Sequence, residues 1–320
     1  MKKRFLRTFF ISFLVFTVLW TGFIYKTVIV AESEDESEYK GNFLERIIDG
    51  KDDITFLLMG VDSNDVNKSS SSRTDTIILC KVNKSTGKIS MLSIPRDTRV
   101  RIRGKENEDK INHAHVYGGP ELVVKAVKDL LGIDLEYYVK VDYSIVREFV
   151  DLIGGVEVDV PMDMKYSDPT ADPPLYINLK KGTQVLDGDK ALQFLRFRKG
   201  YADQDLGRIQ AQQQFIKAAI KQALSVDNIG KIPQMIKSYY DNVETNIPLD
   251  LILKFAVNAK NYDVNNIQAA TLPGEPAYIN GVSYYIYDDE ETAVLLKQLF
   301  EGEEVMDDTQ GNQENNDTIN

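Results

Sequence analysis

With 320 residues, 43% of them hydrophobic and 27% charged, the chain has the composition of a folded protein with room for one large domain or two small ones. Its net charge of −11 argues against a nucleic-acid binder, so any anion bound here must be held by a local cationic cluster working against the overall field. The single cysteine, Cys80, excludes an intrachain disulfide, and its place in the apolar run Thr76-Ile77-Ile78-Leu79-Cys80 reads as a small buried hydrophobe rather than a catalytic thiol.

Lys2, Lys3, Arg4 and Arg7 precede an uncharged apolar stretch from Phe9 to Tyr25, with Trp20 and Tyr25 near its far end, where interface aromatics belong. At about 1.5 Å per residue that stretch just spans a bilayer core, with Lys26 snorkelling. The pattern predicts a cytoplasmic tail over 1–8, a single transmembrane anchor over 9–26, and the rest of the chain outside the cell. A cleaved signal peptide is the rival reading, but the apolar run is long for one and only Ile29-Val30-Ala31 weakly resembles a cleavage pattern. Residues 27–51 follow as an extracellular acidic stalk, carrying the self-repelling run Glu32-Ser33-Glu34-Asp35-Glu36-Ser37-Glu38.

The folded part is expected over 52–300. Ile54 to Val61 is a continuous apolar run that suits a central strand buried on both faces, and it ends at Asp62. A polar loop with Ser69-Ser70-Ser71-Ser72 leads to Arg73-Thr74-Asp75 and a second strand over Thr76 to Val82. Turn chemistry at Asn83 to Lys88 makes Ile89 to Ile94 its hairpin partner, ending at Pro95-Arg96-Asp97. Arg99, Arg101 and Arg103 alternate as on a solvated edge strand. His113 and His115 lack acidic or cysteine partners at zinc-ligand spacing. Helices are expected over Glu121 to Leu131 and Tyr143 to Ile153, with strands over Glu136 to Asp142 and Val156 to Val160. Residues 161–182, punctuated by prolines and aspartates, read as loop. A short helix from Asp187 to Leu195 runs into an arginine segment, and a long helix covers Asp205 to Leu224. Further elements are a helix over Leu251 to Ala259, strands over Ile267 to Leu272 and Val282 to Tyr287, and a helix over Glu290 to Phe300. Residues 301–320, acidic and rich in Asn and Gln, read as a disordered tail. The fold class is α/β: one mixed central sheet with helices on both faces, an α-β-α sandwich preceded by one transmembrane helix.

The chemistry gathers where apolar strands stop. Asp62, Arg73 with Asp75, and Arg96 with Asp97 mark three strand ends that neighbouring strands bring to one rim. Arg196 and Arg198 share a face if that segment is extended, and Arg208 and Gln212 share a face of the long helix, with Asp205 at its start. Guanidinium forks match phosphate oxygens two bonds at a time, so the segment reads as a diphosphate clamp, against the alternative of a solvated salt-bridge face. Asp62 and Asp75 suit one hard cation such as Mg²⁺, which takes one or two carboxylates plus substrate phosphate oxygens. Metal, cationic clamp and carboxylate are the parts that phosphoryl transfer uses. No Walker-type glycine loop or covalent-nucleophile motif accompanies them.

Ser72-Arg73-Thr74-Asp75-Thr76, Ile94-Pro95-Arg96-Asp97, and Arg196-Phe197-Arg198 followed by Asp205-Leu206-Gly207-Arg208-Ile209 and Gln212 resemble the signature of the LytR-CpsA-Psr family. Val61-Asp62, Lys110-Ile111-Asn112 and Gly118-Gly119-Pro120 fit as well, and the resemblance covers roughly residues 52–225. It implies an extracytoplasmic transferase moving a glycopolymer, for example wall teichoic acid, from a polyprenyl-diphosphate carrier to a muramic-acid hydroxyl of peptidoglycan as a phosphodiester. It implies Mg²⁺ at Asp62 and Asp75, the diphosphate at Arg73, Arg96, Arg196, Arg198 and Arg208 with Gln212 beside it, and Asp205 activating the acceptor or orienting the arginines. Arg96, Asp205 and Arg208 are then the catalytic candidates. The lipid is expected in an apolar tunnel, with the stripes Leu122–Leu131 and Ile145–Ile153 as candidate walls or plain core. Two further readings stand beside the transferase: a membrane-anchored, non-catalytic binder or regulator of lipid-linked polymer, and a polyprenyl-diphosphate hydrolase with water as acceptor.

Overall fold

The computed structural model describes residues 52–61, 73–170, 174–201, 203 and 205–301. The expected tail, anchor and stalk over 1–51, the loop with Asp62, and residues 302–320 lie outside the described residues. Among the described residues no helix is long and apolar enough to cross a membrane.

The predicted hairpin is the middle of the molecule. β1 (Asp53–Val61), β2 (Thr74–Asn83) and β3 (Ile89–Ser93) pair antiparallel in sequence order. β4 (Arg99–Val100) and β5 (Asp109–Lys110) form a short ladder with Arg99 opposite Lys110, and the Arg99 side chain forms an ion pair with Glu108 at 2.9 Å; of the expected edge strand only Arg99 falls in it, Arg101 and Arg103 lying beyond its end. α1 (His113–Leu131) breaks at Gly118 and Gly119, and Gly119 takes a φ of 68° that a side chain disfavours. Pro120 restarts the helix at a position where its missing N–H costs nothing. β6 (Tyr137–Val141) follows, then α2 (Tyr143–Leu152), capped by the Asp142 carboxylate accepting from the Ile145 N–H.

Residues 156–186 depart from the expectation. β7 (Val156–Val160) does not join the central sheet but pairs with β10 (Gly182–Leu186). The stretch read as loop holds a hairpin, β8 (Met164–Asp168) and β9 (Leu175–Leu179). Pro161, Pro169 and Pro174 sit between the strands rather than in them, and period-two burial survives in Ile177 and Leu179. α3 (Gly188–Arg196) and α4 (Asp205–Ala223) pack over these ladders, around Phe194 and Phe215, as a second core.

Beyond α4 come α5 (Ile232–Asn242), β11 (Glu244–Thr245), α6 (Leu249–Ala256), β12 (Gln268–Thr271), the hairpin β13 (Gly274–Ile279) and β14 (Val282–Tyr287), and α7 (Asp289–Leu296). α5, β11 and β13 were not expected. The central sheet runs β11-β6-β1-β2-β3-β12, mixed, with β6 parallel to β1 and β12 parallel to β3.

The two faces of this sheet differ. Alternation sends Leu57, Met59, Ile77, Leu79 and Leu92 to one side, where they pack fully buried against Val123, Val127 and Leu131 of α1. It sends Phe56, Leu58, Ile78, Cys80 and Met91 to the other side, toward Ile216 and Ile220 of α4 and Phe255 of α6. Burial pushes the Cys80 thiol up to about 12, in keeping with a packing role. Phe56 and Leu58 are only half-buried although they sit mid-strand, because this face borders a cavity.

Candidate functional site

The antiparallel order brings the end of β1, the start of β2 and the end of β3 to one rim, with Val61 opposite Thr74 and Ile78 opposite Ser93. There Arg96 Nη1 donates to Asp75 Oδ1 at 2.6 Å. The N-terminus of α4 faces the same rim. Arg208, 3% exposed, donates from Nη2 to the backbone carbonyl of Asp75 at 3.1 Å. The same Nη2 lies 2.9 Å from Asp205 Oδ1, and Nη1 lies 3.8 Å from Asp75 Oδ2. Asp205 Oδ1 is also 3.7 Å from Arg96 Nε and 3.8 Å from Arg198 Nε. One carboxylate oxygen is thus ringed by three guanidinium groups. Burial alone lowers the Arg96 pKa, but Asp75 and Asp205 outweigh it, so the net shift is upward and the charge is kept.

The polar accounting is incomplete within the protein. Nε of Arg96, Nε of Arg208 and Oδ1 of Asp205 are buried without a well-aligned hydrogen bond; the 2.9 Å approach to Asp205 is an ion pair without that alignment. Buried N–H groups of cations lacking acceptors suit an oxyanion ligand, and the amide dipoles at the start of α4 add to that preference. Arg196 and Arg198 line the same cavity, by a different route from the one expected. The segment is not a strand: Arg196 ends α3, and buried Phe197 is extended between the two arginines. The Arg196 guanidinium lies over the Tyr143 ring at 4.4 Å.

Gln212, one helical turn beyond Arg208, is buried and lines the cavity. Two positioning contacts escaped the sequence reading. Gln213 Nε2 donates to Ser93 Oγ, the Ala270 carbonyl and Thr271 Oγ1 at 2.9, 2.8 and 3.2 Å, fixing α4 on the sheet. Gly207 lets α4 approach Tyr201, since a Cβ there would stand 2.5 Å from Tyr201 Cβ. Arg73, by contrast, is exposed and outside the cavity lining, close enough to Tyr117 to influence its hydroxyl.

Asp62 lies outside the described residues, and among those described no cluster of three or more His, Cys, Asp or Glu forms a ready-made metal cage. The donors present nevertheless fit Mg²⁺ of the substrate-shared kind. Asp75 lines the cavity beside the arginines, is partly exposed, and leaves Oδ2 with only a 3.8 Å ion pair.

The cluster closes one end of a cavity of ≈ 1690 Å³. This exceeds the roughly 300–1,000 Å³ of a small-molecule pocket, so it has room for a large ligand. Away from the rim the lining is apolar, including Phe56, Leu58, Ile216, Ile220, Ile236 and Phe255. Ile145, Val146 and Phe149 of α2 form part of the wall, as one of the two candidate stripes allowed. The Leu122–Leu131 stripe does not, because α1 covers the opposite face of the sheet. Further walls come from α4, α5 and α6, with Leu192 and Leu195 of α3 and Tyr166 and Leu175 of the β8–β9 hairpin.

Geometry and sequence comparison agree. The LytR_cpsA_psr family matches residues 21–301, and the chain belongs to this family. It is 33% identical over 283 residues to the Bacillus subtilis (strain 168) polyisoprenyl-teichoic acid--peptidoglycan teichoic acid transferase TagU, covering 88% of each chain. It is 34% identical over 253 residues to TagT of the same organism, a transferase of the same description, covering 78% of this chain and 77% of that one. Among solved structures, B. subtilis TagV superposes with a TM-score of 0.67 at 30% identity, over 79% of this chain and 98% of that chain. TagT bound to LIIa-WTA superposes with a TM-score of 0.62 at 30% identity, over 78% and 90%.

Proposed function

We propose that this chain is a membrane-anchored transferase acting outside the cell. It takes a glycopolymer such as wall teichoic acid from a polyprenyl-diphosphate carrier and links it to a muramic-acid hydroxyl of peptidoglycan. The observation that carries the proposal is the joining of an arginine–aspartate cluster to an apolar cavity of ≈ 1690 Å³, a head-and-tail arrangement that matches a diphosphate on a long hydrocarbon. Family membership and the names of the relatives support the reaction class.

In this reading the hydrocarbon occupies the cavity and the diphosphate meets Arg96, Arg196, Arg198 and Arg208, with Arg73 reaching it from the outer corner. The unpartnered Nε groups of Arg96 and Arg208 supply charge-assisted donors to its oxygens. Mg²⁺, held by Asp75 with Asp62 and shared with the diphosphate, would neutralise charge on the phosphoryl oxygens. The acceptor hydroxyl oxygen bonds to the polymer-side phosphorus. The bond from that phosphorus to the bridging oxygen breaks, and polyprenyl monophosphate leaves with the electron pair. Asp205 receives the hydroxyl proton or holds the arginines in register; three guanidinium neighbours around Oδ1 favour the second role. Preorganised guanidinium groups stabilise charge on the departing phosphate without rearranging.

The test uses the full-length chain in lipid vesicles with a polyprenyl-diphosphate glycan, Mg²⁺ and peptidoglycan oligomers. Mass spectrometry should find a phosphodiester-linked product and free polyprenyl monophosphate. Both should vanish in Arg96→Ala and on chelation, and return when Mg²⁺ is restored. Monophosphate without linked product would make the protein a hydrolase. Tight arginine-dependent lipid binding without turnover would make it a binder.

A further inference from the structure

The cavity has a direction. Ile54 and Val61 both line it and both lie on β1, so at about 3.3 Å per residue it follows the strands for about 23 Å. One end, at Ile54, Val82 and Ile89, is apolar, and the other, at the rim with Asp75 and Arg96, is charged. A further set of residues lies beyond that rim, past the end of β3 and away from the apolar end. β14 is fastened there by Tyr285, whose N–H donates to the Asp97 carbonyl at 2.9 Å and whose hydroxyl donates to the Leu272 carbonyl at 2.7 Å. Tyr285 is buried and structural. Its neighbour Tyr284 alternates to the other face of the strand, is half-buried and lines the cavity. The Arg99 guanidinium and Lys110 Nζ each lie 5.8 Å from the Tyr284 ring centroid. Lys110 Nζ is 3.0 Å from Asp97, which in turn approaches Arg96 Nε at 3.9 Å, so this corner is continuous with the arginine cluster. Tyr117, exposed, completes it, with Arg73 and Tyr284 in electrostatic reach of its hydroxyl.

We propose that this corner, Tyr284 with Lys110, Arg99 and Tyr117, binds the acceptor: a muramyl residue of a peptidoglycan strand. The inference rests on the transferase reading. Attacking and leaving oxygens stand roughly in line across a transferring phosphoryl group. The leaving phosphate is tied to a tail inside the cavity, so the acceptor oxygen arrives from the opposite side, where Tyr284 stands. A pyranose packs its C–H face on an aromatic ring, and the carboxylates of a muramyl peptide complement Lys110 and Arg99. Their present partners, Asp97 and Glu108, are partly exposed and exchangeable.

The full-length protein in vesicles tests this with unlinked muropeptide oligomers as acceptor and probe. In Tyr284→Ala the acceptor KM should rise about tenfold, the scale of a lost aromatic contact, while the donor KM does not move. Tyr284→Phe, which keeps the ring, should restore the wild-type acceptor KM. Without donor, calorimetry should show oligomer binding to wild type and its loss in Tyr284→Ala. An unchanged acceptor KM in Tyr284→Ala, alongside normal product formation by wild type, overturns this inference and leaves the transferase reading standing. Wild type that releases monophosphate and never forms linked product overturns both.

Discussion

Arg208 joins the sheet rim to α4, and its removal separates charge from geometry. Arg208→Met keeps an unbranched apolar stem, two atoms shorter than arginine, and deletes the fork. It loses the charged hydrogen bond to the Asp75 carbonyl, about 1.5–3 kcal/mol. It also loses the ion pairs to Asp205 and Asp75. Breaking a buried pair costs about 3–5 kcal/mol when it strands a charge. Here Asp75 keeps Arg96 at 2.6 Å and Asp205 keeps Arg96 and Arg198, and both carboxylates are partly exposed. The expected destabilisation is therefore about 2–3 kcal/mol, or about 4–12 °C in melting temperature. Loss of a donor to the developing phosphate charge should lower kcat by about 10²–10³-fold. Arg208→Lys should melt closer to wild type yet remain nearly as inactive, since one ammonium cannot bond two oxygens in the guanidinium geometry. Thermal melts and the linked-product assay on all three proteins decide. A lysine variant with wild-type kcat/KM would refute the reasoning, as would a methionine variant as stable as wild type.

Asp205→Asn removes the carboxylate that holds three arginines in register, so inorganic pyrophosphate should bind more weakly while turnover falls. Calorimetric titration showing tighter binding, by about 1–3 kcal/mol for a unit charge removed at about 5 Å, would mean that the opposing charge of Asp205 outweighs its aligning role. Gly207→Ala forces a methyl to 2.5 Å from Tyr201 Cβ, so it should destabilise by about 1–3 kcal/mol and shift the start of α4; equal melting and turnover would show that the contact yields. Burial raises the Asp109 pKa, but hydrogen bonds from Tyr117, His113 and the Lys110 N–H more than reverse this, so its folded value is depressed. A depressed carboxylate stabilises the fold above its unfolded pKa of about 3.9, and that contribution is lost as pH falls through the folded value. Asp109→Asn should therefore unfold at lower urea than wild type at neutral pH, with the gap closing below about pH 4; a gap independent of pH contradicts the assignment.

The rim was legible because nothing in an apolar strand calls for Asp75, Arg96 or Asp97 at its ends, and the register then had to bring those ends together. The start of α4 was legible from Asp205, Arg208 and Gln212 at helical spacing. Arg196 and Arg198 were harder: alternate spacing implies a strand in isolation, but a helix end followed by one extended residue also makes the two side chains converge. The hairpin at 164–179 was hidden because its prolines and aspartates dominate the local pattern while only Met164, Ile177 and Leu179 signal burial. The cavity walls were the least legible. An apolar stripe on α1 and one on α2 look alike in sequence, yet the first packs only into the core while the second packs into a core and also borders the cavity. Which face of the sheet each helix covers is set by the path of the chain, and that path is not written in the stripe.

The division of the site into a charged head region and an apolar cavity bears on the enzyme's cycle. In the proposed reaction, donor and released carrier share the same hydrocarbon and differ only at the rim. The carrier product keeps every contact along Phe56, Leu58, Ile216 and Ile220 and surrenders only some of those to the arginines. Chemistry alone therefore does not empty the cavity. On the proposed reading, the spent carrier would compete with fresh donor, and withdrawal of a greasy tail into the bilayer, rather than formation of the bond, is the expected slow event of each turnover.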